Sequence, residues 1–214
     1  LQLLYLVLLG GFTSLSLPPF NYVVVNFITF SLFFVFIIKK KNLLYNKRFN
    51  FLYGWLFGFG YFFTSLYWVS ISLTFDQTFK FLIPFVLFLI PASLAIFYGI
   101  AIYLFSIFRL KKIFSSFLLF SLIFSILEFV RGYIFTGFPW NLIAYSLSEI
   151  LNIVSIISII GTYAFNMLCI SLFTVPALFI LRDSRKDIYI CIFFLLIPIF
   201  FLFYGNSYNK NFFR

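Results

Sequence analysis

Seven stretches of this chain qualify, or nearly qualify, as membrane crossings by length and apolar character, and that limits the fold more than any motif does. A helix needs about 20 mostly apolar residues to cross the hydrocarbon of a bilayer. The stretches cover 1–17, 22–38, 51–75, 81–108, 113–130, 151–181 and 188–204. What closes them is informative. Pro18 and Pro19 stop the first, since proline cannot continue a helix. Lys39, Lys40 and Lys41 close the second, Asp76 stands at the end of the third, and Arg109, Lys111 and Lys112 close the fourth. The sixth ends in the charged run 182–187. Pro84 and Pro91 predict that the first turns of the long fourth stretch lie at the interface or kink. Only 9% of residues carry charge, against about a quarter in a soluble domain. The expected fold is therefore an all-α polytopic transmembrane helix bundle of about seven spans over 1–205, followed by a polar tail at 206–214.

The basic residues orient this bundle. Loops after the even-numbered stretches hold five, three and three Lys or Arg, eleven of the fifteen in the chain. Such residues accumulate on cytoplasmic loops, so the N-terminus is expected in the cytoplasm and, after seven crossings, the C-terminal end on the periplasmic side. The net charge of +10 is thus loop charge at a membrane surface, with no basic face for nucleic acid.

Whole classes of chemistry are excluded by residue type. The chain has no histidine, which removes Ser-His-Asp and Cys-His nucleophile pairs and imidazole metal ligands. Cys169 and Cys191 lie inside apolar runs and read as small buried hydrophobes. No metal and no cofactor is expected. The first residue is Leu1 and no charged region precedes the first apolar run, so a signal peptide is not expected and the N-terminus reads as cut.

Polar positions inside the stretches mark faces that meet protein. Gly54 and Gly58 form a G-x-x-x-G pair continued by Tyr61 and Ser65, a pattern for close helix packing. Ser121, Ser125 and Glu128 fall on one helical face, and Ser155, Ser158, Thr162, Asn166 and Cys169 form a second stripe. No internal repeat of the kind found in many transporters is present. The chemically dense stretch is 128–149, EFVRGYIFTGFPWNLIAYSLSE. There Glu128 and Arg131 share a helical face, and Thr136 to Trp140 make a tight non-helical turn. Two readings of the acid and the arginine stand: an ion pair at the membrane boundary with the arginine snorkelling, or a grip on a lipid headgroup. Tyr67, Trp68, Asp76, Pro18, Pro19, Phe20 and Asn21 are expected at the same outer surface.

The run EFVRGYIFTGFPWNLIAYS at 128–146 resembles the signature of bacterial apolipoprotein N-acyltransferases. LSLPPFNY at 15–22 and GFGYFFTSLYWVSISL at 58–73 are similar to the same family in the same order, with Tyr133 standing where the family often has Trp. The resemblance implies an inner-membrane enzyme that moves an acyl chain from a phospholipid to the N-terminal diacylglyceryl-cysteine amine of a lipidated apolipoprotein. It implies phospholipid, lipoprotein and membrane as partners. It also implies a nitrilase-like domain with a Glu-Lys-Cys triad, whose residues have no counterpart here, so the chain reads as a fragment, inactive alone. Within it, the residues expected to contact lipid or substrate are Glu128, Arg131, Pro139, Trp140, Tyr145 and Trp68, and none is expected to be catalytic. Two alternatives remain: a non-catalytic membrane scaffold, or a membrane region attached to a polyprenol-phosphate glycosyltransferase.

Overall fold

The computed structural model describes residues 1–40, 47–108, 110–134 and 141–212. Among the described residues there is no strand. The helices in chain order are α1 (Gln2–Thr13, extended by a 3₁₀ turn at Ser14–Ser16), α2 (Val24–Lys39), α3 (Lys47–Ser65) and the short α4 (Val69–Ser72). After a 3₁₀ turn at Gln77–Leu82 come α5 (Ile83–Phe108) and α6 (Ile113–Ile134). A 3₁₀ turn at Ile143–Leu147 leads to two single-turn helices, α7 (Leu151–Val154) and α8 (Ile157–Ile160), then α9 (Thr162–Leu181) and α10 (Arg185–Phe212). Among the described residues α5, α6, α9 and α10 are long and apolar enough to cross a membrane, and α1 and α2 are shorter apolar helices.

Two of the expected spans are shorter than the apolar sequence that encodes them. The third ends at Ser65 instead of Phe75. Past it, the Ser70, Ser72 and Thr74 hydroxyls each donate to the carbonyl three residues back, at 2.6, 2.6 and 2.7 Å. Such local bonds offer the backbone an alternative to a continuous helix. The Asp76 carboxylate then caps the next turn, accepting the Thr78 N–H at 2.9 Å and the Thr78 hydroxyl. The sixth span begins at Thr162 rather than near Leu151, because Gly161 takes φ 78°, a left-handed value that interrupts the helix. The expected stripe from Ser155 to Cys169 is therefore two pieces: Ser155 and Ser158 lie in α7–α8 territory, and Asn166 and Cys169 lie on α9. The Ser121, Ser125 and Glu128 stripe on α6 is intact and buried.

Aromatic packing holds the centre together. Phe33 of α2 stacks on Phe57 of α3 with centroids 4.0 Å apart, and its ring edge also meets Phe124 of α6. Offset-stacked and edge-on ring pairs of this kind contribute beyond their buried area. α3 runs antiparallel to α5 at very short range, and glycine makes that possible. A Cβ at Gly54 would collide with the Tyr98 backbone carbonyl, and one at Gly58 would sit 2.8 Å from the Tyr98 Cβ. The sequence pair thus meets a partner, α5. A second close crossing was not foreseen: Gly10 of α1 faces the Phe57 carbonyl while Gly60 of α3 faces the Val7 carbonyl, each too near for a side chain.

Antiparallel packing gives the bundle two chemically different ends. At one, Lys40 at the close of α2 donates to the Gln2 side chain at the start of α1, at 2.6 Å, and the Ile113 N–H donates to Asp183 at 3.1 Å. At the other, Tyr61 near the end of α3 donates to the Asn141 carbonyl at 2.9 Å.

Candidate functional site

The opposite end from the lysines carries a cavity of about 470 Å³. Its walls come from three separated pieces of chain: Ser14 to Phe20 after α1, Thr64 to Trp68 at the end of α3, and Asn141, Tyr145 and Ser148 after α6. These pieces are where they are for local reasons. Pro18 and Pro19 end α1, the hydroxyl-rich run after Ser65 ends α3, and Asn141 turns the chain at φ 46°, a left-handed value that asparagine accepts better than most residues. The lining mixes aromatic and proline surface with serine, threonine and asparagine, and among the described residues it carries no charged side chain. Trp68 is 51% exposed at the rim, whereas Tyr145 is half-buried. Inside it, the Ser65 hydroxyl has no hydrogen-bond partner among the described residues.

Beneath this cavity lies a closed ionic cluster. Glu128 and Arg131 are each 1% exposed, so both sit inside the bundle. The Glu128 carboxylate accepts from the Tyr98 hydroxyl at 2.7 Å and from Asn166 Nδ2 at 2.7 Å, and the Arg131 guanidinium stands 3.7 Å away. Arg131 also lies over the Phe62 ring at 5.1 Å, and its position in the last turn of α6 suits the negative end of the helix dipole. Burial of two charges is costly unless they are paired and hydrogen-bonded, and here four elements supply partners at once: α3, α5, α6 and α9.

The two layers are joined through the backbone of the 141–148 segment. Asn166, which donates to Glu128 with its amide nitrogen, accepts the Ala144 N–H with its oxygen at 2.9 Å. Tyr61 holds the Asn141 carbonyl, and Asn141 Nδ2 reaches the Ser65 carbonyl at 3.4 Å. The buried cluster therefore fixes the strand of chain that presents Tyr145 to the cavity.

Of the residues singled out in the sequence, Trp68 and Tyr145 are brought together on the cavity wall, with Pro18, Pro19, Phe20 and Tyr67 beside them. Glu128 and Arg131 lie below it and support its floor. Pro139 and Trp140 lie outside the described residues. Cys169 and Cys191 are both buried. The partner that sequence reasoning missed is Tyr98, one of four hydroxyl side chains along the apolar run of α5, the others being Ser93, Tyr103 and Ser106. Asn166 was seen as part of a stripe, but its bonds to both Glu128 and Ala144 were not.

A bundle of apolar helices, four of them long and apolar enough to cross a membrane, with an amphiphilic cavity at one end and a buried ion pair under it defines a membrane-type helix bundle. Residues 9–175 match the model of the apolipoprotein N-acyltransferase N-terminal domain, and the chain belongs to that acyltransferase family. It is 34% identical over 190 residues to the apolipoprotein N-acyltransferase of Rhizobium etli (strain CIAT 652), covering 83% of this chain and 34% of that protein. It is 37% identical over 181 residues to that of Rhodopseudomonas palustris (81% and 33%), and 33% identical over 169 residues to that of Rickettsia prowazekii (78% and 33%). The chain thus spans about a third of the length of the curated relatives it matches.

Proposed function

We propose that this chain is the membrane part of an apolipoprotein N-acyltransferase, working in the bacterial inner membrane. In this reading, α1, α2, α3, α5, α6, α9 and α10 cross the bilayer, with the basic turns in the cytoplasm and the cavity on the periplasmic side. The observation that carries it is the cavity walled by residues of all three motif stretches, 15–22, 58–73 and 128–146, in a chain of this family.

The work assigned to the cavity is to receive the polar half of a lipid-bearing substrate from the bilayer. Proline and aromatic walls suit glycerol and the first methylenes of an acyl chain, while the Ser65 hydroxyl and the Asn141 amide suit ester oxygens. Trp68 and Tyr145 contact the lipid in this scheme. Pro139 and Trp140 are assigned to the same contact from their residue types and motif alone, and Glu128 and Arg131 act through the segment they hold. Acyl transfer itself needs a thiol that attacks the phospholipid ester, takes the acyl group as a thioester and releases the lysophospholipid alcohol, and that is then released as the free thiol when the lipoprotein amine takes the acyl group as an amide. Neither buried cysteine fits that role.

The test is photolabelling in native membranes with a phospholipid carrying a diazirine near its ester linkage, followed by peptide mapping. Label on 64–68 and 141–148 that falls when Trp68 and Tyr145 are both changed to Ala supports the assignment. Label confined to the exposed faces of α5 and α10, indifferent to those changes, overturns it.

A further inference from the structure

The opposite end of the bundle holds a second cavity, of about 490 Å³, that the acyl-transfer reading does not use. It is lined by Arg182, Asp183, Ser184, Arg185, Ile188 and Tyr189. We infer that it is a binding site for the phosphodiester headgroup of an anionic phospholipid in the leaflet facing the basic turns.

The argument begins with what the two local acids do. Asp187 is buried, and one of its carboxylate oxygens accepts the backbone N–H groups of Asp183 and Ser184, at 2.9 and 3.0 Å. Asp183 in turn accepts the Ile113 N–H, capping the first turn of α6. Both acids are thus engaged in shaping the corner between α9, α10 and α6. The two arginines on the cavity wall are exposed, and no ion pair to either is formed among the described residues. The Asp183 bond also brings the 110–113 turn to this corner, so Lys111 and Lys112, both exposed, immediately precede the residue it anchors. Two arginines therefore line the concave site, and two lysines stand in the turn that its aspartate anchors.

The shape favours a lipid over a soluble anion. The polar wall of Arg182, Ser184 and Arg185 is followed, one turn into α10, by Ile188 and Tyr189. Beyond them the exposed surface of α10 is apolar, with Ile192, Phe193 and Leu196 in succession. A phosphodiester between the guanidinium groups would set its glycerol on Tyr189 and its acyl chains along that surface. Planar guanidinium forks match phosphate oxygens in pairs, and basic pockets between transmembrane helices are suited to acidic headgroups. This inference rests on the chain being a membrane bundle and is independent of acyl transfer.

The experiment uses the whole chain in detergent micelles, titrated with phosphatidylglycerol or phosphatidylethanolamine and read by native mass spectrometry as retained lipid. The expected result is preferential retention of phosphatidylglycerol that drops on the order of tenfold or more in Arg182→Gln/Arg185→Gln. The comparison variant, Lys39→Gln/Arg48→Gln, removes two exposed charges from the same end and is expected to keep the preference. Equal loss in both variants would mean diffuse attraction to a basic surface and overturns a site. Displacement of the lipid by millimolar inorganic phosphate would assign the cavity to a soluble anion and overturns the lipid. Unchanged thermal unfolding of the arginine variant in phosphatidylethanolamine micelles separates lost binding from lost folding. If that variant is unfolded, Arg182→Lys/Arg185→Lys takes its place, with the same charge but no planar fork, and a retained preference in it counts against the phosphodiester geometry.

Discussion

Changing Glu128 to Gln removes one charge and almost no volume from the centre of the bundle, so its cost isolates what the carboxylate does. At 3.7 Å from Arg131, the pair's attraction is about 4 kcal/mol at an effective dielectric of ~20. Most of that offsets the loss of hydration suffered by two groups that are each 1% exposed. Removing the carboxylate cancels the attraction but leaves the arginine in the interior. The glutamine amide oxygen can still accept from Asn166, but its NH2 then faces the Tyr98 hydroxyl, which must turn from donor to acceptor. Breaking a buried pair in this manner costs about 3–5 kcal/mol. For a domain of this size that lowers the melting temperature by roughly 6–20 °C. The assay is thermal unfolding of the purified chain in a non-ionic detergent. The decisive companion is Glu128→Gln/Arg131→Met, which removes both charges. It is expected to recover a large part of the loss, because the stranded charge is the main penalty. A single variant that melts with the wild type, or a double variant that melts below the single one, refutes the reasoning.

The remaining predictions concern packing, pH and chemistry. Gly60→Leu is expected to disrupt the α1–α3 crossing by several kcal/mol, read as a lost or strongly lowered unfolding transition, whereas Gly11→Ala, whose Cβ would come no nearer than 3.4 Å to the Thr64 side chain and 3.8 Å to the Gly60 carbonyl, should be mild. The Thr78 N–H and hydroxyl hold the exposed Asp76 carboxyl below its ordinary 3.8, so this cap is present at neutral pH and is lost only as pH falls through that lowered value. Amide exchange at Thr78 should therefore speed up in that acid range, and Asp76→Asn should abolish the pH dependence. Incubated with radiolabelled phospholipid, the 214-residue chain is expected to form no hydroxylamine-sensitive acyl adduct, because both thiols are buried. An adduct mapped to Cys169 or Cys191 would contradict that.

The helical class and the two chemically distinct ends were legible because they depend on composition and on where lysine, arginine and proline fall. Gly54 and Gly58 were legible too, since their spacing puts both on one helix face. Helix ends were harder. Nothing in hydropathy separates Ser65, where α3 stops, from the equally apolar residues after it, because the break depends on hydroxyls returning to nearby carbonyls. Gly161 was a visible glycine in an apolar run, yet only its backbone angle shows that it divides the run. At the site, residue types identified Glu128 and Arg131 as special, but spacing could not reveal that partners from α5 and α9 would enclose them. Tyr98 and Asn166 lie 30 and 38 residues away in the chain.

One consequence concerns α10. Much of its length faces outward, with polar fastenings near both ends and ring contacts between them, Phe194 on Phe117 and Phe201 on Phe165. Asp187 is tied into the turn after α9, and twenty-two residues further on Asn209 donates to Asn152 at 2.8 Å and accepts from Ser155 at 3.2 Å, with Gly205 pressed against the Asn152 backbone. The far fastening is made to α7, which follows directly from the segment carrying Tyr145. α10 is thus a strut, tied at the basic end to the turn after α9 and at the other end to the residues that follow the cavity wall.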